Sequence, residues 1–166
     1  QFDCVQSNLA RSMESLQMRD DGLLDLDNQF CFALYAASRS VVRAYAPVLK
    51  ELELTYPQYL VMLVLWEWSR DGQGRPTVTA LGNRLDLDSG TLTPLLYRLE
   101  EKGLIARERA SADERELFVR VTPTGARLKR RARAVPLKLL EQCPVSLEEL
   151  LQLRDRLKRF RSADAA

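Results

Sequence analysis

The chain has 166 residues, 46% hydrophobic and 29% charged with a net charge of +2, which suits a single domain with a packed core. It contains no histidine and three cysteines, which excludes a Ser-His-Asp triad, a histidine metal cage and an imidazole pH switch. No apolar run approaches the roughly 20 residues of a membrane span, and residues 1–25 lack the basic start and apolar run of a secretory signal, so a cytoplasmic protein is expected.

Residues 1–25 mix Ser, Gln, Asn and Asp without sustained periodicity and read as a flexible or weakly helical extension. A long helix is expected from Asp27, as N-cap, through NQFCFALYAASRSVVRAY. Phe30, Leu34, Ala37, Val41 and Ala44 share its apolar face. Pro47 is expected to open a separate short helix to about Leu52. Thr55-Tyr56-Pro57 begins the next helix, and QYLVMLVLWEW is apolar nearly all round, as a buried central helix is. DGQGRPT (71–77) reads as a loop. Thr77 or Thr79 starts a helix to Leu85, Asp86-Leu87-Asp88 turns, and a second helix ends at Gly103.

Ile105–Glu108 and Leu117–Val121 have β-leaning composition and flank the polar ASADER stretch, which predicts a hairpin. Thr122-Pro123 starts a basic helix to about Gln142, kinked at Pro136, and Ser146-Leu-Glu-Glu149 is a capping box for a last helix to about Arg161. Residues 127–166 hold 11 basic and 5 acidic groups, so the whole positive excess lies there. Any DNA contact must therefore rest on placed side chains rather than bulk charge. A helix–turn–helix followed by a hairpin is a winged helix: mainly α, with a small β wing.

In the second helix of the pair, Leu92, Leu95, Leu96 and Leu99 occupy one arc at 100° per residue. Ser89, Gly90, Thr93, Pro94, Tyr97, Arg98 and Glu101 occupy the other. Small hydroxyls early in the helix and an arginine later suit base edges and phosphate respectively; a solvated polar face is the alternative. Arg107, Arg109, Arg115 and Arg120 lie on or near the hairpin with Asp113 at its tip, and a wing-tip arginine suits the minor groove. Cys31 reads either as a small core residue or as a thiol activated by the helix start. Cys4, Cys31 and Cys143 are too few and too scattered for a zinc knuckle or disulfide scaffold, so neither metal nor cofactor is expected.

Asp113-x-Arg115 followed by Val121-Thr122-x-x-Gly125 resembles the wing signature of MarR-type winged-helix regulators. The blocks LDNQFCFALYAASR, LTYPQYLVMLVLWE and LDLDSGTLTPLL resemble more narrowly the OhrR branch, the organic-hydroperoxide-sensing repressors. The resemblance covers about residues 26–161, leaving residues 1–25 as an extension and 162–166 as a tail. It implies an obligate homodimer built from the first and last helices (about 26–53 and 122–161), with a DNA-binding part (about 54–121) on a palindromic operator. DNA contacts are then expected from Ser89, Gly90, Thr91, Thr93, Pro94, Tyr97, Arg98, Arg107, Asp113 and Arg115. The branch often carries lysine where this chain has Tyr97.

By the same resemblance Cys31 matches the peroxide-reacting cysteine, and Tyr45 and Tyr56 match tyrosines that hydrogen-bond it. Tyr45 lies 14 residues beyond Cys31, roughly 21 Å along a continuous helix at about 1.5 Å per residue. Such a contact therefore has to cross the dimer. Cys143 resembles the resolving cysteine of two-cysteine members, which implies a disulfide to Cys31 of the other subunit; Cys4 matches nothing. The expected function is a non-enzymatic, redox-sensing repressor. A regulator answering a small aromatic ligand with Cys31 inert, or a thiol peroxidase on a winged-helix scaffold, are the alternatives. The basic run Arg127–Arg133 reads as a solvated face or as ion-pair partners of the other subunit.

Overall fold

Residues 20–71, 76–109 and 117–163 are described by the computed structural model. The chain divides into two compact units between Arg43 and Ala44. Two 3-10 turns, Asp20–Leu24 and Leu26–Asn28, precede α1, Phe30–Lys50. Side-chain amides tie these turns together: Asn28 Nδ2 donates to the Gly22 carbonyl at 2.9 Å and Gln29 Nε2 to that of Leu23 at 2.6 Å. The last part of the expected extension is therefore built of turns. Asp27, the expected N-cap, belongs to the second of them, and α1 begins three residues later. The first bond into α1 runs from the Ala33 N–H to the Gln29 carbonyl, 3.1 Å.

Pro47 does not open a separate helix; it lies inside α1. A proline within a helix forfeits the bond to the carbonyl four residues back, here Arg43, and costs about 3 kcal/mol. Burial of Val48 and Leu49 (6% and 1% exposed) holds the following turn in place. The end of α1 is a Schellman motif: the Leu54 N–H bonds the Leu49 carbonyl at 3.1 Å, and Glu53 takes the left-handed position with φ 56°. Replacing Glu53 with glycine is expected to stabilise the chain by about 0.5–1 kcal/mol, because relief of left-handed strain outweighs the added unfolded-state entropy. Urea titration measures this, and a destabilised variant would show that the Glu53 side chain contributes more than its strain costs.

Helix α2, Tyr56–Asp71, starts at a Thr55/Gln58 capping box: the Thr55 N–H donates to Gln58 Oε1 at 3.0 Å and the Gln58 N–H reaches Thr55 Oγ1 at 3.5 Å. It is the central helix. Tyr59, Val61, Met62, Leu65 and Trp66 are buried, while Leu63 stays 41% exposed. Helices α3 (Val78–Leu85) and α4 (Ser89–Glu101) are N-capped by the Thr77 hydroxyl and the Asp88 carboxylate. Between them Asp86 takes a left-handed conformation, φ 57°.

Strands β1 (Ile105–Arg109) and β2 (Leu117–Val121) pair antiparallel with Ile105 opposite Val121 and Arg109 opposite Leu117. The expected 71–77 loop contributes to this wing. Thr77 bridges Phe118, and the Val119 N–H donates to the Pro76 carbonyl at 2.9 Å. Pro76 can add an acceptor to a sheet edge although it has no N–H to give.

The basic helix forms as two, α5 (Pro123–Ala132) and α6 (Ala134–Glu141). The break falls at Arg133, a turn before the kink expected at Pro136. Pro136 cannot donate to the Ala132 carbonyl and crowds it, so the ladder fails one turn ahead of the ring. Helix α7, Leu147–Ala163, starts at the expected capping box: the Glu149 N–H reaches Ser146 Oγ at 3.3 Å, and the Ser146 N–H donates to Glu149 Oε2 at 3.0 Å. No helix among the described residues is long and apolar enough to cross a membrane.

Candidate functional site

Helix α4 is seated by Leu92, Leu96 and Leu99, each at most 1% exposed. That leaves Ser89, Gly90, Thr91, Thr93, Pro94, Tyr97 and Arg98 facing outward. Its first turn is fixed by Asp88, which accepts the Thr91 N–H and the Thr91 hydroxyl, each at 2.8 Å. Those bonds hold the Asp88 carboxyl below the usual carboxylate range. The Thr91 hydroxyl proton is thus committed inside the chain, whereas Thr93, Tyr97 and Arg98 present open groups along the exposed side. Pro94 lies inside this helix and forfeits the bond to the carbonyl of Gly90, an exposed residue.

Arg107 is not open in the same way. Its backbone N–H and its Nε donate to the two carboxylate oxygens of Glu100 at 2.9 and 2.8 Å, and its Nη2 lies 2.6 Å from Glu100 Oε2. The pair joins the end of α4 to β1, and the guanidinium holds the Glu100 carboxyl below its ordinary range. Its role is to set the wing against the helix. On β2, Arg120 pairs with Glu108 of β1, while Arg109 is exposed. Asp113 and Arg115, at the expected wing tip, lie outside the described residues.

The Val121-Thr122-x-x-Gly125 motif has a direct structural reason. The Thr122 hydroxyl donates to the Gly103 carbonyl at 2.6 Å and accepts the Gly125 N–H at 3.1 Å. Gly125 sits so close to the chain end of α4 that an added Cβ would lie 2.1 Å from the Leu104 carbonyl oxygen. The Gly125 carbonyl accepts the buried Trp66 indole N–H at 3.0 Å. One short motif therefore ties β2, α5, α2 and the end of α4 together.

Cys31 is an exposed free thiol at the second position of α1, a helix with no acidic residue in its first turn. One turn on, Tyr35 accepts a hydrogen bond from Arg39 Nη1 at 3.1 Å, with the guanidinium 5.5 Å from the ring centroid. The spacing of four from Cys31 places Tyr35 on the same helix face, a signal legible in the sequence but not used there. Cys143 is a half-buried free thiol in the link between α6 and α7; its N–H donates to the Leu140 carbonyl at 3.2 Å. Cys4 lies outside the described residues. Among the described residues no three His, Cys, Asp or Glu side chains gather as a metal site.

Tyr45 and Tyr56 come together, ring centroids 4.9 Å apart and tilted by 59°. Sequence reading missed their third member: Tyr59 packs 5.8 Å from Tyr45 and is only 2% exposed. Its spacing of three from Tyr56 put both on one face of α2. Burial, with the neighbouring phenols, pushes the Tyr59 hydroxyl up to about 12. Because the unfolded chain loses this proton near 10, stability is complete below that pH and falls as pH rises toward about 12. Tyr59→Phe is expected to flatten the alkaline unfolding profile between those values. An unchanged profile would place the titration elsewhere.

The first and last helices carry exposed apolar side chains, among them Leu34 (37%) and Val41 (48%) on α1 and Leu147 (56%) and Leu153 (52%) on α7.

A family model described as transcriptional regulator SarA/Rot matches residues 43–131. The organic hydroperoxide resistance transcriptional regulator of Bacillus subtilis (strain 168) is 46% identical over 134 residues, 81% of this chain and 88% of that protein. The HTH-type transcriptional regulator TtmR of Methylorubrum extorquens (strain PA1) is 43% identical over 158 residues, 95% of this chain and 78% of its own length. Among solved structures, AbfR of Staphylococcus epidermidis is similar with a TM-score of 0.67 at 35% identity, covering 91% of this chain and 97% of its own. AbfR has also been solved reduced and bound to DNA, with a TM-score of 0.67. A further structure holds it in a disulfide-formed state, with a TM-score of 0.58.

Proposed function

This chain belongs to the MarR-type winged-helix transcriptional regulators, among relatives of the organic hydroperoxide regulators, and we propose that it is a dimeric repressor that leaves its operator when Cys31 is oxidised. The observation that carries the reading is the exposed thiol near the start of α1, in a chain that also carries a helix–turn–helix followed by the two paired strands of a wing. AbfR, a similar protein, has both a reduced DNA-bound form and a disulfide-formed form.

In the proposed reaction the Cys31 sulfur attacks the terminal oxygen of an organic hydroperoxide. The O–O bond breaks, the alcohol leaves, and Cys31 carries a sulfenic acid. The Cys143 thiol of the other subunit then attacks that sulfur and expels water. Two thiols and one hydroperoxide thus become a disulfide, an alcohol and water. Thiol reductants of the cytoplasm reverse the bond. Tyr45 and Tyr56 would hydrogen-bond the sensing thiol across the dimer. The exposed apolar side chains of α1 and α7 would be covered by the second copy, since patches of this kind on a soluble chain mark association surfaces.

On DNA, Ser89, Gly90, Thr91, Thr93, Pro94 and Tyr97 would meet base edges, and Arg98 a phosphate, with Asp113 and Arg115 at the minor groove. Arg107 serves this interface through Glu100. Two recognition helices must fall about 34–36 Å apart to dock together, so a modest rearrangement of the dimer releases both. The test is binding to a duplex selected from a random pool, before and after cumene hydroperoxide and then dithiothreitol. The expected sequence is binding, release and recovery; binding that ignores the oxidant overturns the reading. Arg98→Ala and Arg115→Ala should each weaken binding about fivefold or more, and unchanged affinity would remove that residue from the interface.

A further inference from the structure

A second site lies away from the outward face of α4. A cleft of about 550 Å³ opens between the turn after α1, the Gly103–Leu104 link and α5, within the size range of small-molecule sites. Its floor is apolar, formed by Leu52, Leu104 and Leu128, which are 6–8% exposed. Its rim carries Lys102, Arg127, Arg130 and Arg131.

Three of these cations are positioned without being neutralised. Lys102 donates to the Glu53 carbonyl, Arg131 to the Glu51 carbonyl at 2.6 Å, and Arg127 to Thr124 Oγ1 at 2.9 Å. All three acceptors are uncharged. The Glu51 carboxylate is engaged by Lys138 at 2.8 Å, and Arg130 makes no ion pair among the described residues. Glu53 is thus the acid left to oppose four cations. Three side chains held by neutral acceptors keep their orientation while their charge remains available, which lowers the entropy cost of gathering them on an anion.

We propose that this cleft binds a small phosphorylated ligand, its phosphate on Arg127 and Arg130 and a compact apolar body on the leucine floor. A concave site with an apolar floor suits a discrete molecule better than a duplex backbone, whose phosphates stand on a convex ridge. The site is independent of Cys31 and is testable in the Cys31→Ser protein.

The experiment is calorimetric titration with phenyl phosphate, inorganic phosphate and phenol. Phenyl phosphate should bind saturably and more tightly than inorganic phosphate, with phenol showing no binding. Arg130→Gln should weaken phenyl phosphate about tenfold, and Arg127→Gln with Arg130→Gln should abolish it, while Arg84→Gln on α3 leaves it unchanged. Circular dichroism checks the fold, and the single Arg130→Gln variant suffices if the double variant does not fold. Absence of saturable phenyl phosphate binding overturns the proposal. So does equal binding by Arg130→Gln, or loss of duplex affinity in that variant without any phenyl phosphate binding by the parent, which would make these cations DNA contacts.

Discussion

Gly125→Ala is expected to be the most damaging glycine-to-alanine substitution among the described residues, costing about 3–5 kcal/mol. The new Cβ would lie 2.1 Å from the Leu104 carbonyl oxygen and 2.9 Å from Val121 Cγ1. The first is backbone and the second belongs to the stiff, β-branched side chain of a strand residue, so neither moves aside like the end of a flexible side chain. Helix α5 would have to withdraw from the end of α4, which stretches the Trp66 bond to the Gly125 carbonyl and the Thr122 cap together. Each buried bond lost adds about 1–3 kcal/mol, and a domain of this size has only about 5–15 kcal/mol in hand. Gly103→Ala is the informative contrast: its added Cβ meets nothing within 4 Å and pays only for φ 65°, about 1–2 kcal/mol. Urea unfolding of both variants measures the difference. Near-equal costs would show that the close approach at Gly125 relaxes easily.

Cys31→Ser is expected to bind DNA as the parent does and to ignore hydroperoxide altogether. A serine hydroxyl cannot be oxidised to the sulfenate level, so the proposed chemistry stops at its first step. For the parent, the loss of affinity on oxidation should be about 5–150-fold, the usual range of coupling between two sites. Cys143→Ser separates the second step: it should lose the intersubunit crosslink on a non-reducing gel, and its sulfenate should pass with excess oxidant to states that dithiothreitol does not reverse. Release of DNA from Cys31→Ser by hydroperoxide would refute the sensing role. A surviving crosslink in Cys143→Ser would refute the pairing. Turnover in the presence of a reductant separates a sensor from a thiol peroxidase: the enzyme consumes many hydroperoxides per Cys31, whereas the sensor reacts stoichiometrically and changes its affinity for DNA.

Much of this fold is legible locally. Thr55, Thr77, Asp88, Thr122 and Ser146 each satisfy N–H groups within three residues, so a cap is visible wherever a side-chain oxygen of the right length precedes an apolar period. The leucines of α4 and the β-leaning stretches of the wing follow period alone. What escaped is what depends on partners distant in sequence. Pro47 stays helical because Val48 and Leu49 are buried by elements later in the chain, and no local preference records that. Arg107 looks like any wing arginine until Glu100 is found beside it. Tyr59 looks like core until its ring is found against Tyr45. The Thr122–Gly125 motif was readable as a signature, but its reason, a backbone carbonyl two ångströms from a missing methyl, required Leu104 to be in place.

The amino-acid order by itself therefore determined the winged-helix class, the caps, the exposed side of α4 and the family resemblance, because these rest on periodicity and on contacts within a turn or two. The excess charge also divides along this line. Its position near the C-terminus is a matter of order. That Lys102, Arg127, Arg130 and Arg131 converge on one cleft, three of them held by carbonyls and a hydroxyl rather than by carboxylates, was decided only when α5 folded against the turn after α1. Such convergence depends on distances between segments dozens of residues apart, and no local pattern encodes it.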